Sequence, residues 1–428
     1  MTPSAPRPEP TRRHFVQAGG LAALGAPLAS ARGLLRPGGD DVLRVGLVGC
    51  GGRGRGAAYN ALMADPNTRL VAVADAFPEP IADALASWKA SPGIAERVDV
   101  PEDRRFVGFE GFRGVIEHCD VVLLATSPHF RPLHVEAAVE AGKHLFVEKP
   151  VATDPAGLRR IRAACELARE KGLSVVSGLC YRYQFAKQET VKRIQDGAVG
   201  DILALQTTYN TGGLWHRGRK PEWSEMEYQM RNWLYFTWLS GDHICEQHIH
   251  SLDKLAWVMG GYPVKATSSG GRVQRTDEKW GNIYDHFNTV YEWEDGVRGF
   301  SSCRQWNGAS MDVSDHVFGS RGRADLQRHR IETGAWKWRH EGEGPDDMYQ
   351  NEHDALFASI RAAEPIDDSE HMIESTLMAI LGRLAAYTGQ TVTRQAVLDS
   401  ELDLSPPAYA WGEHACAEIA VPGVTKMI

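Results

Sequence analysis

The sequence lacks CxxC pairs, lacks a stretch dominated by basic residues and, after its first 31 residues, lacks any long apolar run. Its seven cysteines are scattered, so we expect neither a zinc site nor a disulfide framework. No later stretch approaches the roughly 20 apolar residues of a membrane-spanning helix, so the mature chain should have no membrane span. The net charge of −8 would repel a nucleic-acid backbone, and nucleic acid is not an expected partner.

Repeats of fixed period and low-complexity segments are also absent. The chain has 428 residues, of which 43% are hydrophobic and 24% are charged, as is usual for a soluble globular enzyme. A chain of this length can bury a large core, and the length indicates two domains.

The N-terminus is similar to an export signal. In TRRHFVQAGGLAALGAPLASA, Arg12 and Arg13 precede an Ala/Gly/Leu-rich run that closes with an Ala-Ser-Ala triplet. A charged region, an apolar region and a small-residue cleavage site are typical of such signals. The T-R-R-x-F start resembles the twin-arginine signal, whose pathway carries folded proteins. We expect a signal peptide at 1–31, an arm at 32–42 and a periplasmic or otherwise exported protein; an ordinary N-terminal helix is the alternative.

Residues 43–75 carry the clearest local motif, LRVGLVGCGGRGRGAAYNALMADPNTRLVAVAD. An apolar run ends in a G-x-G-x-x-G loop, and an Ala-rich helical segment and a second apolar run follow. Gly49 permits the tight turn, Gly51 lets the backbone approach a pyrophosphate, and Gly54 allows close helix–strand packing. The N-terminus of the following helix offers free N–H groups to the phosphates. This pattern predicts a dinucleotide site, whereas a Gly-rich turn without a ligand is the alternative.

Asp75 lies 21 residues beyond Gly54, where an acidic side chain binds the ribose 2′-hydroxyl. A carboxylate at this point would repel a 2′-phosphate, so the pattern favours NAD over NADP. Arg53 is a nearby cation that would tolerate the additional phosphate of NADP.

The alternation of strands and helices continues beyond this motif. We predict a strand at 120–128, a helix at 131–144 and a further strand at 145–150, as in a doubly wound sheet. Ligands of such sheets bind beyond the carboxyl ends of the strands. Polar residues that follow the two strands are Thr126, Ser127, Glu148 and Lys149. A charged pair after a strand is otherwise a common surface feature.

Three segments resemble the Gfo/Idh/MocA oxidoreductases, the family of glucose–fructose oxidoreductase and inositol dehydrogenase. They are GLVGCGGRG, ATSPHFRPLHVEAAVEAGKHLFVEKP and GDHICEQHIHSLDKLAWVMGG, and the similarity runs from about Leu43 to about Gly389. The resemblance implies an α/β protein with a Rossmann NAD(P)-binding domain at 43–168. A substrate-binding α/β domain with a large, mostly antiparallel open sheet is implied at 169–389, with a C-terminal extension at 390–428. It also implies a homo-oligomer formed through the second sheet.

The same resemblance assigns roles near the cofactor. Lys149 of the E-K-P triplet is expected to contact the reacting hydroxyl, while Glu148 and Pro150 shape the nicotinamide pocket. His134 matches a family histidine in the segment T-S-P-H-F-R-P-L-H. The complete set of predicted cofactor-binding residues is Gly49, Gly51, Gly52, Arg53, Gly54, Asp75, Thr126, Ser127, Pro128, His134, Glu148 and Lys149.

The second half of the chain changes to strands that alternate apolar and polar residues. Such strands are predicted within 202–210, 288–305 and 312–327, with Asp295 and Gly296 as a hairpin turn. This alternation fits an antiparallel sheet with one buried face.

The segment DHICEQHIHSLDKLAWVMG is predicted to form one helix. At helical spacing, His243, Glu246, His250 and Asp253 share one face, and His248 lies on the apolar side as a core or sheet contact. Glu246 and His250 are one turn apart and close enough to interact.

This polar face has three interpretations: a solvated helix surface, a metal site or an acid–base centre. The H-E-x-x-H pattern is absent and no further ligand cluster appears, so we expect no metal. The family pattern places an Asp four residues before a His in this helix; here His250 matches the His and Glu246 replaces the Asp. A histidine suits proton transfer near neutral pH. The predicted catalytic residues are therefore Lys149, His250 and Glu246.

Two further features concern the substrate. Tyr181 and Arg182 match the region where the family presents substrate contacts. The segment 215–238 is rich in tryptophan and tyrosine, and its aromatic rings, including Trp233, suit the apolar faces of a sugar or cyclitol. Core packing of these large side chains is the alternative.

The sequence thus predicts an exported NAD(P)-dependent oxidoreductase that transfers a hydride from a sugar, a sugar derivative or a cyclitol. We expect a tightly bound cofactor, because there is no comparable dinucleotide pool outside the inner membrane. One alternative is an NAD-dependent glycoside-cleaving enzyme, in which transient oxidation permits elimination. Another is a non-catalytic sugar-binding protein, although Lys149 and His250 are both retained.

Overall fold

The structure is a computed structural model that describes residues 41–342 and 344–427. The predicted signal peptide at 1–31 and nearly all of the predicted arm at 32–42 lie outside the described residues. The described chain forms two sheets, and the candidate site lies where elements of both meet.

The first sheet is built from six parallel strands, and all of them except the short edge strand at Arg105–Val107 are rich in buried apolar residues. They are β1 (Leu43–Val48), β2 (Thr68–Asp75), β3 (Arg105–Val107), β4 (Val121–Leu124), β5 (His144–Val147) and β6 (Val175–Ser177). Their order in space is β3-β2-β1-β4-β5-β6, which is a doubly wound arrangement. The strand order reverses between β1 and β4, so a crevice opens at the carboxyl ends of these two strands. The predicted Rossmann domain is confirmed.

Helices cover both faces of this sheet. They are α1 (Gly52–Ala64), α2 (Pro78–Lys89), α3 (Gly111–His118), α4 (Arg131–Glu140) and α5 (Pro155–Glu170). Asp154 caps α5 by accepting a hydrogen bond from the Gly157 backbone N–H at 2.7 Å. Because α5 crosses over to β6, the first sheet extends past residue 168, where the sequence analysis placed the domain boundary.

The second sheet has nine strands, and nearly all of its neighbouring pairs are antiparallel. The strands are β7 (Ile202–Thr211), β8 (Lys265–Gly271), β9 (His286–Glu292), β10 (Arg298–Gln305), β11 (Asp312–Gly319), β12 (Gly322–Asp325), β13 (Arg330–Thr333), β14 (Lys337–Arg339) and β15 (Val392–Thr393). Their order is β14-β13-β12-β11-β7-β10-β9-β8-β15, and β7 and β10 pair in parallel. Gly296, with a positive φ of 87°, lies in the predicted hairpin turn between β9 and β10. The predicted large, mostly antiparallel sheet is confirmed.

Eight further helices follow in the described residues. They are α6 (Phe185–Gln195), α7 (Glu225–Arg231), α8 (Thr237–Ser240), α9 (His243–Glu246), α10 (Ile249–Met259), α11 (Met348–Ala362), α12 (Ser369–Thr388) and α13 (Arg394–Asp399). One of them, α11, packs back against α1 and the first sheet. Helix α12 is almost entirely buried and packs against β8, α10 and α5, so it joins the two domains. None of the described helices combines the length and the apolar character that a membrane span requires.

The predicted single helix over 242–259 is wrong, because it breaks into α9 and α10 between Glu246 and Ile249. The His248 backbone N–H donates to the His243 carbonyl at 3.1 Å, one residue farther back than in a regular helix. The side chain of His248 bonds the Ser301 hydroxyl on β10 at 2.7 Å, and Gln247 accepts from Gln305 at 2.5 Å. These contacts with the sheet turn the chain at the break. His248 is the sheet contact that the sequence analysis expected.

Candidate active site

The Gly-rich loop between β1 and α1 has the shape that a dinucleotide requires. Gly49 has a positive φ of 98°, and a Cβ at this position would lie 2.6 Å from the Ala125 carbonyl carbon. A Cβ on Gly54 would lie 1.8 Å from the Gly49 oxygen, so glycine is needed for close packing there. A Cβ on Gly51 or Gly52 would meet no atom within 4 Å, so the backbone faces open space. The loop has room for a ligand to approach its backbone.

Helix α1 presents an uncapped N-terminus to this space. Its first turn has no acidic residue, and no side chain caps it. The free N–H groups and the helix dipole therefore favour an anion. Asp75 stands at the end of β2 and accepts hydrogen bonds from the backbone N–H groups of Cys50 at 2.8 Å and Phe77 at 3.1 Å. These features fit the phosphates and ribose of a dinucleotide.

A cavity of about 440 Å³ runs along this loop and past the end of β4. Thr126, Ser127 and His134 line it, whereas Pro128 is buried beside it. The Thr126 hydroxyl lies 3.3 Å from Nδ1 of His134. Burial lowers the pKa of His134 to about 3, so this imidazole is neutral. We call this cavity the dinucleotide cleft.

Arg53 points away from the ribose end of the cleft. Its guanidinium pairs with Glu148 and Glu352 and lies over the rings of Phe146 at 5.4 Å and Tyr349 at 4.8 Å. Burial opposes the charge of Arg53, but the two carboxylates hold its pKa above the ordinary value. The cation that would have tolerated a 2′-phosphate is thus engaged by two carboxylates, and Arg53 positions Glu148 instead.

Lys149 reaches from the end of β5 to the second domain. Its Nζ donates to the Glu246 carboxylate at 3.1 Å and also to the Glu246 backbone carbonyl. The two side chains are only 13% and 16% exposed, so the ion pair is weakly screened by water. Glu246 therefore meets Lys149; it forms no hydrogen bond with His250, the neighbour suggested by their spacing.

His250 lies beside this ion pair with its ring edge-to-face against Tyr181 at 5.3 Å. Its Nδ1 is buried and has no hydrogen-bond partner among the described residues. Burial, followed by the positive charges of Lys149, Lys254 and Arg53, lowers the pKa of His250 well below 6.5. The imidazole is therefore neutral at neutral pH and can accept a proton.

Two family models match most of this architecture. Residues 43–179 match the model of the oxidoreductase family with an NAD-binding Rossmann fold, and residues 188–325 match the Gfo/Idh/MocA C-terminal domain. The chain belongs to the Gfo/Idh/MocA oxidoreductase family. Its first domain is accordingly an NAD-binding Rossmann domain, as predicted, and the features of the Gly-rich loop fit that cofactor.

Curated members of the family include enzymes with different named activities. The 2,7-anhydro-N-acetylneuraminate hydratase of Escherichia coli strain K12 is 29% identical over 41% of this chain and 43% of its own length. The inositol 2-dehydrogenase of Rhizobium meliloti strain 1021 is 23% identical over 67% of this chain and 76% of its own length. The first curated relatives are thus matched over about two fifths of their length.

A solved structure supports the fold. The aldose–aldose oxidoreductase of Caulobacter crescentus aligns with 82% of this chain and 99% of its own, with a TM-score of 0.64 and 21% identity. At this identity the similarity shows a shared fold and no more.

Two predicted substrate residues, Arg182 and Trp233, lie in different surroundings. The Arg182 guanidinium donates to both carboxylate oxygens of Asp253 at 2.8–3.0 Å and lies over the Trp257 ring at 5.1 Å, so its donors serve the helix packing. Trp233 lines the dinucleotide cleft together with Trp215. The assignment of Arg182 to the substrate is therefore corrected, because the ion pair with Asp253 engages its guanidinium. The contact of Trp233 with a substrate stays a prediction.

The four residues of the predicted polar helix face do not stay together in the structure. His243 is buried against Phe287 at 5.1 Å, and Asp253 pairs with Arg182. The break between α9 and α10 leaves Glu246 and His250 together at the site. Trp238, another member of the aromatic segment, is buried in the core beside His129 at 4.9 Å.

Several polar residues near the site escaped the sequence analysis. Arg275 donates to Gln305, whose amide donates to Gln247 beside Glu246, so a polar chain runs along the inner face of the second sheet. The buried ion pair of Lys254 and Asp315 also lies on that face. Residues far apart in sequence build both features, and no local pattern reveals them.

The described residues contain no group of three or more His, Cys, Asp or Glu side chains arranged to hold a metal ion. All seven cysteines are unpaired, and six of them are buried. Lys149, Glu246 and His250 are the polar side chains that the structure brings together beside the NAD-binding domain.

Two glycine substitutions should distinguish an effect on NAD affinity from an effect on the stability of the fold. Gly51→Ala places a methyl group in open space at a backbone conformation that alanine can adopt, with φ of −65°. We expect NAD affinity to fall at least about tenfold, a loss of about 1.4 kcal/mol, with the thermal stability of the cofactor-free protein unchanged. Gly54→Ala forces a clash with Gly49 and should destabilise the fold by about 1–3 kcal/mol. Calorimetric titration with NAD and thermal unfolding measure the two effects; full NAD affinity in Gly51→Ala would contradict the role of that backbone.

Proposed function

We propose that this chain is an NAD-dependent oxidoreductase that oxidises a CH–OH group of a sugar, a sugar derivative or a cyclitol. The observation that carries the proposal is the meeting of Lys149, Glu246 and His250 beside an NAD-binding Rossmann domain. The named activity of the inositol 2-dehydrogenase relative supports the substrate class. NAD is favoured over NADP because Asp75 ends β2 and Arg53 is paired with carboxylates.

The three side chains divide the work of alcohol oxidation. Lys149 donates to the hydroxyl oxygen of the substrate and holds the alcohol in place, an effect of positioning. His250 is neutral and accepts the hydroxyl proton as the C–H bond breaks. Glu246 balances the positive charge that arises when His250 is protonated beside Lys149. Bound NAD supplies the hydride acceptor.

Lys149→Met and His250→Ala test these roles directly. Each should reduce kcat by about 10²–10⁴-fold, the usual effect of removing a positioned acid or base. NAD binding should stay near that of the unchanged chain, because neither side chain lies in the Gly-rich loop. Turnover and NAD affinity are measured in parallel, and a normal rate in either variant would refute its assigned role.

Glu246→Gln should move the pH profile in a defined direction. Removal of the carboxylate leaves Lys149 uncompensated, so protonation of His250 becomes less favourable and its pKa falls further. The acid limb of kcat/KM should therefore shift to lower pH, and the plateau rate should fall because a weaker base remains. A profile with an unshifted acid limb would show that Glu246 does not tune His250.

A second candidate function is NAD-dependent cleavage of a glycoside by transient oxidation and elimination. The similarity to a hydratase favours it, because that relative's name describes addition of water. Glycosides incubated without any added electron acceptor distinguish the two: cleavage products with no accumulated reduced cofactor support this candidate, and a ketone product supports the simple oxidation. A non-catalytic sugar-binding role is disfavoured by the intact trio of Lys149, Glu246 and His250.

We also propose that the protein is exported through the twin-arginine pathway and holds its NAD tightly. The Arg12–Arg13 pair ahead of a small-residue apolar run supports export. Residues 1–42 fused to a folded reporter should carry it to the periplasm, whereas Arg12→Lys combined with Arg13→Lys should retain it in the cytoplasm. Periplasmic delivery by the double variant would contradict this route.

A homo-oligomer formed through the second sheet is a further part of the proposal. Phe300 on β10 and Phe318 on β11 are 49% and 39% exposed on the face that turns away from α10, on either side of β7. Exposed aromatic side chains on the same face of a sheet favour a second copy of this chain. Phe300→Asp should lower the mass measured by light scattering; an unchanged mass would refute this interface.

A further inference from the structure

The chain after α13 crosses from one domain to the other without forming a helix or strand in residues 400–427. We call these residues the C-terminal strap. The strap begins beside α5, where the Ala156 N–H donates to the Leu402 carbonyl at 3.3 Å and the Leu404 N–H donates to Asp154 at 2.9 Å. It then passes along the outer side of the dinucleotide cleft.

The strap holds one wall of that cleft. Trp411 contacts Phe109 with ring centroids 4.5 Å apart and Phe77 at 5.3 Å. Tyr409 lies 5.5 Å from Phe130, and its hydroxyl is 2.8 Å from Nε2 of His129. Phe77, Phe109 and Phe130 all line the cleft, so the strap supports three aromatic side chains that would face a bound dinucleotide.

The strap also holds the opposite side, which we call the roof. The roof comprises the cleft-lining residues of the second domain, namely Trp215, Arg217, Met230, Arg231 and Trp233. Two strap carbonyls bind α7, because Gly412 accepts from the Met226 N–H at 3.1 Å and His414 accepts from the Gln229 amide at 2.9 Å.

The wall and the roof touch each other directly. Arg231 lies 3.9 Å over the Phe77 ring and pairs with Glu79 at 3.1 Å, both on the first-domain side of the cleft. The cleft can therefore open toward the second domain only if Arg231 leaves Phe77 and the strap separates either from α7 or from the wall.

We infer that the roof and the C-terminal strap enclose NAD as a resident cofactor of the protein. This inference rests on the proposed NAD-dependent function and adds the structural elements that retain the dinucleotide. Release of the cofactor requires the roof to separate from the wall and the strap to separate from one of them. Several cooperative contacts must break at once, so the exchange of bound NAD for free NAD is slow.

Arg217 is the cation through which the roof contacts the phosphates of the dinucleotide. It lines both the cleft and an adjoining cavity of about 470 Å³, next to Gly51 and Gly52. Its guanidinium lies 5.6 Å over Trp215 and forms no ion pair among the described residues; the nearby Glu79, whose pKa it helps to lower, is paired with Arg231. The neighbouring Arg219 is already paired with Glu225 at 2.5 Å. An unpaired cation beside an uncapped helix N-terminus suits a diphosphate.

The strap is tested by the rate at which bound NADH leaves the full-length protein. The purified protein is loaded with NADH, an excess of NAD is added, and the loss of bound NADH fluorescence is followed. Trp411→Ala should accelerate release about tenfold, since about 1.4 kcal/mol of lost contact energy corresponds to that factor. Trp336→Ala is the matched control, because Trp336 is 41% exposed and Trp411 is 45% exposed. Equal release rates in the two variants would overturn the proposed role of the strap in retaining the cofactor.

Arg217 is tested by NADH affinity, with Arg219→Gln as the control on the same segment. Arg217→Gln should weaken NADH binding about tenfold and reduce the salt dependence of binding, because one phosphate contact is lost. Thermal unfolding of the cofactor-free variants should be the same. Equal affinities in the two variants would overturn the assignment of Arg217. Failure of the unchanged protein to bind NADH would instead refute the proposed function together with this inference.

Discussion

Lys149 leaves the first domain at the end of β5 and meets Glu246 at the end of α9 in the second domain. Both side chains are largely buried, so the pair is held in a medium that screens charge poorly. Removing one partner of a buried pair typically costs about 3–5 kcal/mol, because the remaining charge is left without compensation. This ion pair holds the end of β5 and the end of α9 at a fixed separation. The proposed site for an alcohol substrate depends on that separation.

A second set of ion pairs holds the E-K-P triplet that contains Lys149. Arg53 of α1 pairs with Glu148, the residue before Lys149, and with Glu352 of α11. The Gly-rich loop, the E-K-P triplet and a helix from the distal part of the chain are thereby connected. Arg53 and Lys149 also contribute positive charge near His250, which is one reason why its imidazole stays neutral. The electrostatics of the cofactor loop and of the proton acceptor are therefore coupled.

Local patterns were sufficient for the Rossmann half of the molecule. The glycine spacing, the apolar strands and Asp75 each follow from contacts within a short βαβ segment, and the structure reproduces them. The resemblance to a family supplied Lys149, Glu246 and His250, which the structure brings together. Their roles in catalysis remain proposals.

The features that the sequence did not reveal depend on tertiary contacts. The helix over 242–259 breaks because His248 and Gln247 bond the sheet, and helical periodicity contains no information about those partners. Arg182 was assigned to the substrate, but a buried Asp253 from a distant segment binds it. In both cases the partner is remote in sequence. Trp233 lines the dinucleotide cleft, and its contact with a substrate stays a prediction.

The central claim is that Lys149 presents an alcohol to NAD bound in the cleft. The most direct measurement is the appearance of reduced nicotinamide absorbance when the NAD-loaded protein is mixed with a panel of sugars, sugar derivatives and cyclitols. At least one member of the panel should produce a signal in the unchanged chain, and the same compound should produce none in Lys149→Met. Equal signals in both proteins, or no signal across the panel with NAD demonstrably bound, would contradict the account.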